Sequence, residues 1–157
     1  MTAITTDPAI QVATQAVLAD RFILTKVQEN TLVFPAEWVA EIVRFDRSQV
    51  LHLPFYDPLV IGVVNHNGLI TPLLATAKLL EVVDNFALPE RVMVVKLNQS
   101  AQQLSNIGFI VDQAISTITR TELPKSLFEA PYTDAEMVLL HLGLIPKDLW
   151  KPRTVDS

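Results

Sequence analysis

The sequence predicts an all-β fold, either a sandwich or a barrel, built from many short strands. Its apolar runs are short, prolines and turn residues interrupt them, and sustained helical periodicity is scarce. A chain of 157 residues can bury a real core and falls in the usual range of one domain, about 100 to 200 residues. We therefore expect a single domain that has room for two lobes.

The first half of the chain begins with an uncertain segment. Asp7-Pro8 has the form of an N-cap followed by proline at the first helical position, so residues 8–19 are either a helix or a frayed extension. The next predicted elements are a strand pair at 22–27 and 31–34 around the turn 28–30, a helical turn at 36–40, an extended segment at 41–45 and a stiff proline loop at 53–58.

A tight hairpin at residues 60–74 is the clearest local prediction. Two β-rich runs, 60–66 and 69–74, are separated only by Asn67-Gly68, a pair that tolerates the positive φ angles of a type I′ turn. Pro72 cannot donate a ladder hydrogen bond, so the second strand should lie at an edge or be bulged there. Both faces of the hairpin carry apolar residues, so each face should be covered, one by the barrel itself and one by a second lobe or a partner.

The second half repeats the pattern of short runs and turns. The apolar segment 137–145 is compatible with a strand or a helix. The other predicted elements are a short helix at 77–82, a strand at 91–97, a polar loop at 98–106, strands at 107–111 and 114–119, and a short terminal helix at 146–150.

Composition excludes several classes of partner. Hydrophobic residues make up 50% and charged residues 18% of the chain, the latter below the roughly 25% that is typical of soluble domains. This balance fits either a partner-binding surface or a well-filled ordinary core. A net charge of -5 with scattered basic residues disfavours nucleic acid as a partner. No apolar run approaches the roughly 20 residues that a membrane helix needs, so we expect no direct membrane insertion.

Localisation and chemistry follow from what the sequence lacks. The first twenty residues contain no Lys or Arg and so do not resemble a secretory signal, which predicts a cytoplasmic protein. Zero cysteines exclude disulfides and thiol catalysis within the chain. His52, His66 and His141 lack the spacing of a helical zinc pair, and the four glycines form no phosphate-binding loop. We therefore predict no catalytic residues, no metal site and no cofactor, and an alternative for His66 is a titratable group that tunes an interaction.

A set of short motifs occurs in a fixed order along the chain. They are Phe22-Ile-Leu, Trp38-Val-Ala-Glu41-Ile42, Leu53-Pro54, Gly62-Val-Val-Asn65 with Gly68, Pro72, Leu79-Leu80 and Gly108-Phe-Ile-Val-Asp112. Together these motifs resemble the CheW-like domain of bacterial chemosensory systems over residues 21 to 150. This resemblance implies two small SH3-like five-stranded β-barrels around a hydrophobic centre, and a non-catalytic adaptor between chemoreceptors and a CheA-type histidine kinase.

The same resemblance implies a division of the chain. Residues 1–20 are an N-terminal extension, residues 21–152 are one CheW-like domain, and residues 153–157 are a tail. Within the domain, the first lobe covers about 21–88 and the second about 89–152.

The hairpin tip departs from the family pattern. Family members usually carry Asn-Leu-Arg-Gly there, whereas this chain reads Asn65-His66-Asn67-Gly68. Asn67 therefore replaces an arginine that is able to bind a partner carboxylate with two hydrogen bonds. Two further departures are Leu73-Leu74-Ala75-Thr76 after Pro72, and His141 in the approximate place of an Asp.

We expect this surface to bind a chemoreceptor cytoplasmic tip and a histidine kinase regulatory domain. The alternative function is a CheW-like scaffold or regulator with other protein partners, outside a receptor-kinase array. Glu41 and Asn65 are assigned to the surface by motif position and the others by hairpin geometry. The predicted partner-binding residues are Glu41, Val43, Gly62, Asn65, His66, Asn67 and Gly68.

Overall fold

The computed structural model describes residues 19–150. The predicted helix at residues 8–19 therefore lies outside the described residues except for residue 19, and the tail at 153–157 lies wholly outside them. Within the described part, one four-residue α-helix, α1 (Thr76–Leu79), and several 3-10 turns accompany eleven strands. These are β1 (Arg21–Val27), β2 (Asn30–Pro35), β3 (Val39–Asp46), β4 (Leu51–His52), β5 (Val60–His66), β6 (Leu69–Leu74), β7 (Arg91–Leu97), β8 (Gly108–Val111), β9 (Gln113–Thr119), β10 (Thr133–Asp134) and β11 (Met137–Leu139).

The strands form two sheets, and the predicted all-β fold is confirmed. The first sheet has the order β10-β11-β2-β1-β9, and the second has the order β3-β7-β8-β6-β5-β4. The second sheet thus contains six strands rather than five. Neighbours in each sheet are mostly antiparallel, with parallel pairing of β11 to β2 and of β6 to β8.

The two sheets do not divide the chain near residue 88. The first sheet takes β1 and β2 from the start of the domain and β9 to β11 from its end, while the second takes the continuous stretch from β3 to β8. The pairing of β1 with β9 joins Arg21 to Thr119 and Lys26 to Gln113. The expected division into lobes at 21–88 and 89–152 is therefore wrong as a description of the sheets, because β9 completes the sheet of β1.

A hydrophobic centre lies between the sheets, as the family resemblance implied. Phe34 from the first sheet and Phe109 from the second are both fully buried, and their rings meet edge to face at 5.6 Å. Val27 and Leu32 join this cluster from one side, and Leu74 joins it from the other. Burial of such side chains is the main source of stability in the fold.

Several local predictions changed in detail. The apolar segment 137–145, left open between strand and helix, forms β11 and then a 3-10 turn at Leu142–Leu144. The expected helix at 146–150 is only turn structure. β6 is an interior strand of the second sheet, but its pairing with β8 begins at Leu73. Pro72 therefore lies next to the ladder with β8 rather than in it, so the N–H that proline lacks is not needed for a hydrogen bond to β8.

Candidate functional site

The hairpin of β5 and β6 has the predicted turn. Asn67 and Gly68 adopt φ angles of 53° and 82°, and both positive values are typical of a type I′ turn. His66 and Leu69 are the last paired residues. The Asn65 side chain accepts a hydrogen bond from the Gly68 amide at 3.1 Å, which fixes the turn from within.

His66 forms the central contact of the site. Its Nε2 atom lies 3.0 Å from Oε2 of Glu41 and 3.3 Å from Nδ2 of Asn67. A carboxylate only accepts hydrogen bonds, so Nε2 donates to Glu41 and cannot at the same time accept from the Asn67 amide. The Asn67 amide hydrogens are therefore left to solvent or to a partner.

The contact between His66 and Glu41 also joins distant strands. β3 is one edge of the second sheet, and three strands separate it from β5 in the sheet order. The sheet must curl for these side chains to meet, as expected of a barrel. The Phe45 ring lies edge-on to the His66 ring at 5.5 Å, so His66 packs on the apolar interior while its other side binds Glu41.

The seven predicted partner-binding residues occupy two different environments. Asn65, Asn67 and Gly68 are exposed, and the Glu41 side chain is 40% exposed. Val43 instead packs against the cluster inside the second sheet. Gly62 is buried, and a Cβ atom on it would lie 2.3 Å from the Leu51 carbonyl oxygen. The structure thus gives Val43 and Gly62 positions that support the site from inside.

Two exposed apolar side chains follow the turn and were not predicted from the sequence to belong to the site. Leu69 is 57% and Ile70 is 56% exposed. Ile70 is paired with Asn65, so both side chains lie on the outer face of the hairpin. The sequence did show that both residues directly follow the Asn67-Gly68 turn, at the tip of the hairpin. We call Glu41 and residues 65–70 together the tip surface.

A buried lysine was also missed. Lys96 on β7 is 8% exposed and is the register partner of Glu41 across the β3–β7 pair. It alternates with Val92 and Val94, which belong to the cluster inside the second sheet. Little in the sequence indicated this burial, because Lys96 simply follows the four-residue apolar run Val92-Met-Val-Val95 of β7.

The other histidines lie apart from the tip surface. The His52 ring approaches the Ile61 carbonyl oxygen at 3.2 Å, while the His141 ring packs on Tyr132 at 4.4 Å. Burial lowers the pKa of His141. Among residues 19–150, no three His, Asp or Glu side chains are grouped so as to hold a metal ion, and no helix there is long and apolar enough to cross a membrane.

A two-sheet β domain whose exposed turn carries adjacent polar and apolar groups is suited to bind another protein. The family model of the CheW-like domain matches residues 21–137, so this chain belongs to the CheW-like domain family. Members of this family are non-catalytic scaffold domains of chemotaxis signalling.

Solved structures agree with this fold. One is the scaffolding protein TtCheW from Thermoanaerobacter tengcongensis, with 17% sequence identity and a TM-score of 0.52. The match covers 64% of this chain and 65% of that protein, so it spans somewhat less than two thirds of either. No curated protein sequence gives a significant match.

Proposed function

We propose that this chain is a cytoplasmic adaptor that couples chemoreceptor cytoplasmic tips to the regulatory domain of a CheA-type histidine kinase, in taxis or pilus-based motility. The tip surface is the observation that supports this proposal most directly. Its turn is fixed by the bond between Asn65 and Gly68, and its polar groups stand beside the exposed Leu69 and Ile70. A preformed turn of this kind loses little conformational entropy on binding.

The apolar groups supply binding energy, and the polar groups supply selectivity. Burial of Leu69 and Ile70 against a partner would remove apolar area from water. Asn67 offers amide hydrogens that the His66–Glu41 contact leaves unused. Unpaired donors of this kind favour a partner that presents acceptors at the matching positions.

A second function has one observation in its favour. Asn67 stands where family members usually carry an arginine, so the tip surface itself contains neither Arg nor Lys. A protein with this change would also suit a role as a CheW-like scaffold or regulator outside a receptor-kinase array. The two functions differ in their partners, which makes them separable by binding measurements.

The decisive experiment measures binding of the purified protein to receptor cytoplasmic tips and to the kinase regulatory domain from the same genome. We expect micromolar or tighter binding to at least one of them. Failure to bind either at high micromolar concentration would exclude the adaptor and leave the scaffold role.

An Asn67→Asp variant tests whether the tip surface is in the interface. Aspartate also suits positive φ in this turn, so folding should be kept. The added negative charge and lost amide should change partner affinity by about tenfold. Asn85→Asp, at an exposed position outside the hairpin, makes the same change in charge and should leave affinity unaltered. Equal affinities of the two variants would remove the tip from the interface.

A further inference from the structure

Lys96 is a buried cation without a counter-ion among the described residues. Only 8% of it is exposed, although lysine is seldom buried so deeply unless its ammonium group is paired. Within residues 19–150, the ion pairs are His66 with Glu41 and Arg91 with Asp46, and no hydrogen bond or other polar contact involves the Lys96 side chain. The charge of Lys96 is therefore not neutralised by that part of the chain.

Its neighbours on both sides explain why the charge stays unpaired. On β3, Lys96 faces Glu41, but the Glu41 carboxylate is bound to His66 at 3.0 Å and is not within ion-pair distance of the lysine. On β8, Lys96 faces Gly108, which has no side chain. Neither adjacent strand supplies an acceptor for the ammonium group.

The ammonium group nevertheless keeps contact with water. Among the described residues, no fully buried side-chain nitrogen or oxygen lacks a hydrogen-bond partner. Since Nζ of Lys96 has no partner there, it must retain solvent-accessible surface. Long basic side chains commonly bury their stem while the charged end stays in water, and the strand register places the start of this side chain opposite Glu41.

We propose that Lys96 is a specificity-determining residue that binds a carboxylate of the partner protein beside the tip surface. This inference rests on the adaptor function proposed above. The tip surface contains no Lys or Arg of its own, and Lys96 is the cation directly opposite Glu41 in the β3–β7 pair. A charge held in a largely water-excluded setting interacts more strongly with an incoming carboxylate than a fully solvated one does.

Calorimetric titration tests this assignment. The protein is titrated with the cognate kinase regulatory domain and, separately, with the receptor tip, each at several salt concentrations. Lys96→Met keeps the length and apolar stem of the side chain but removes the charge. We expect it to weaken binding of one of these two domains by about tenfold and to reduce the dependence of affinity on salt. Lys96→Arg should keep most of the affinity. Lys125→Met, at an exposed position in a 3-10 turn beside the first sheet, makes the same change in net charge and should bind like the wild type.

The outcomes separate the two proposals. If the wild type binds while Lys96→Met shows the same affinity and salt dependence, the lysine only covers the end of the barrel, and the adaptor function stands without it. If the wild type binds neither domain, the adaptor function is wrong and the inference falls with it.

Folding of the variant is a separate check. We expect Lys96→Met to unfold at the same or a higher temperature, because it removes an unpaired charge from a mostly buried position. If the variant does not fold, a measurement on the wild type takes its place: the rate of chemical acetylation of each lysine is followed by mass spectrometry, with and without the bound domain. The bound domain should slow acetylation of Lys96 about fivefold but not that of Lys125. Equal rates at Lys96 with and without the domain would overturn the inference.

Discussion

Both sheets cover a hydrophobic cluster, but ionisable side chains meet the two clusters differently. At the first they stack from turns outside the sheet, as Arg120 does on Phe128, and at the second they lie on the strands themselves. Behind the first sheet, the buried members of the cluster are all apolar: Phe22, Val33, Leu123, Leu127 and Leu139. Behind the second, the cluster around Phe45 and Val94 is followed along the same strands by Glu41, His66 and Lys96. Polar groups reduce the stability that an all-apolar interior provides. These groups lie at or beside the tip surface, which agrees with the binding role proposed above for that surface.

The largest expected effect comes from closing the space at Gly62. A Cβ atom there would lie 2.3 Å from the Leu51 backbone oxygen, so Gly62→Ala should push β4 away from β5. We expect the free energy of unfolding to fall by about 2–3 kcal/mol, as in other overpacked interiors. Urea denaturation measures this change.

Gly68→Ala is the matched control for steric crowding. Nothing lies within 4 Å of its added Cβ, although its φ of +82° disfavours a side chain. The cost should be about 1 kcal/mol, from backbone conformation alone. If Gly62→Ala costs no more than Gly68→Ala, then close approach of β4 to β5 does not limit this end of the second sheet.

A smaller effect is expected from the polar contact that joins β3 to β5. A double-mutant cycle with Glu41→Ala and His66→Ala isolates their interaction from the loss of the Phe45 contact. Since 40% of the Glu41 side chain is exposed, solvent screens the pair, and the coupling free energy should be about 0.5 kcal/mol. A coupling above about 2 kcal/mol would mean that the pair is a stabilising element of the barrel rather than part of its binding surface.

The smallest expected effect is on the pH dependence of stability, through His141, which follows β11 of the first sheet. Burial lowers the pKa of His141, so the unfolded chain binds a proton at this residue more readily than the folded chain does. Its contribution to stability is therefore present above the unfolded pKa and is lost as the pH falls through the folded pKa. We expect His141→Gln to lose less stability than the wild type on acidification from about pH 8 to about pH 5. Parallel stability curves for the two proteins would contradict this assignment.

The sequence predicted the parts of the fold that depend on neighbouring residues. Asn67-Gly68 specifies its own turn and thereby the register of β5 and β6. A turn between β1 and β2 was also predicted, but Gln28-Glu29 forms it alone, because Asn30 already pairs with Val27. Local turn chemistry of this kind needs no knowledge of the rest of the chain. Asn67 and Gly68 were assigned to the candidate site for this reason, whereas Asn65 was assigned by its motif position.

Contacts between distant residues were not predictable in the same way. The pairing of β1 with β9 depends on which strands meet across some ninety residues of chain, and apolar alternation does not encode that choice. Glu41 and His66 were each assigned to the surface, but their contact depends on the curl of six strands. Lys96 was missed because a lysine at the end of an apolar strand gives no sign, in sequence, of whether an acid faces it.

The interleaving of the two sheets also sets the order in which they can be completed during synthesis. All strands of the second sheet have been synthesised once Val111 is made. β1 and β2 are made first, yet their remaining neighbours in the first sheet, β9 and β11, are made last. A chain that is still being translated therefore contains every strand of the second sheet before β9 and β11 exist to pair with β1 and β2.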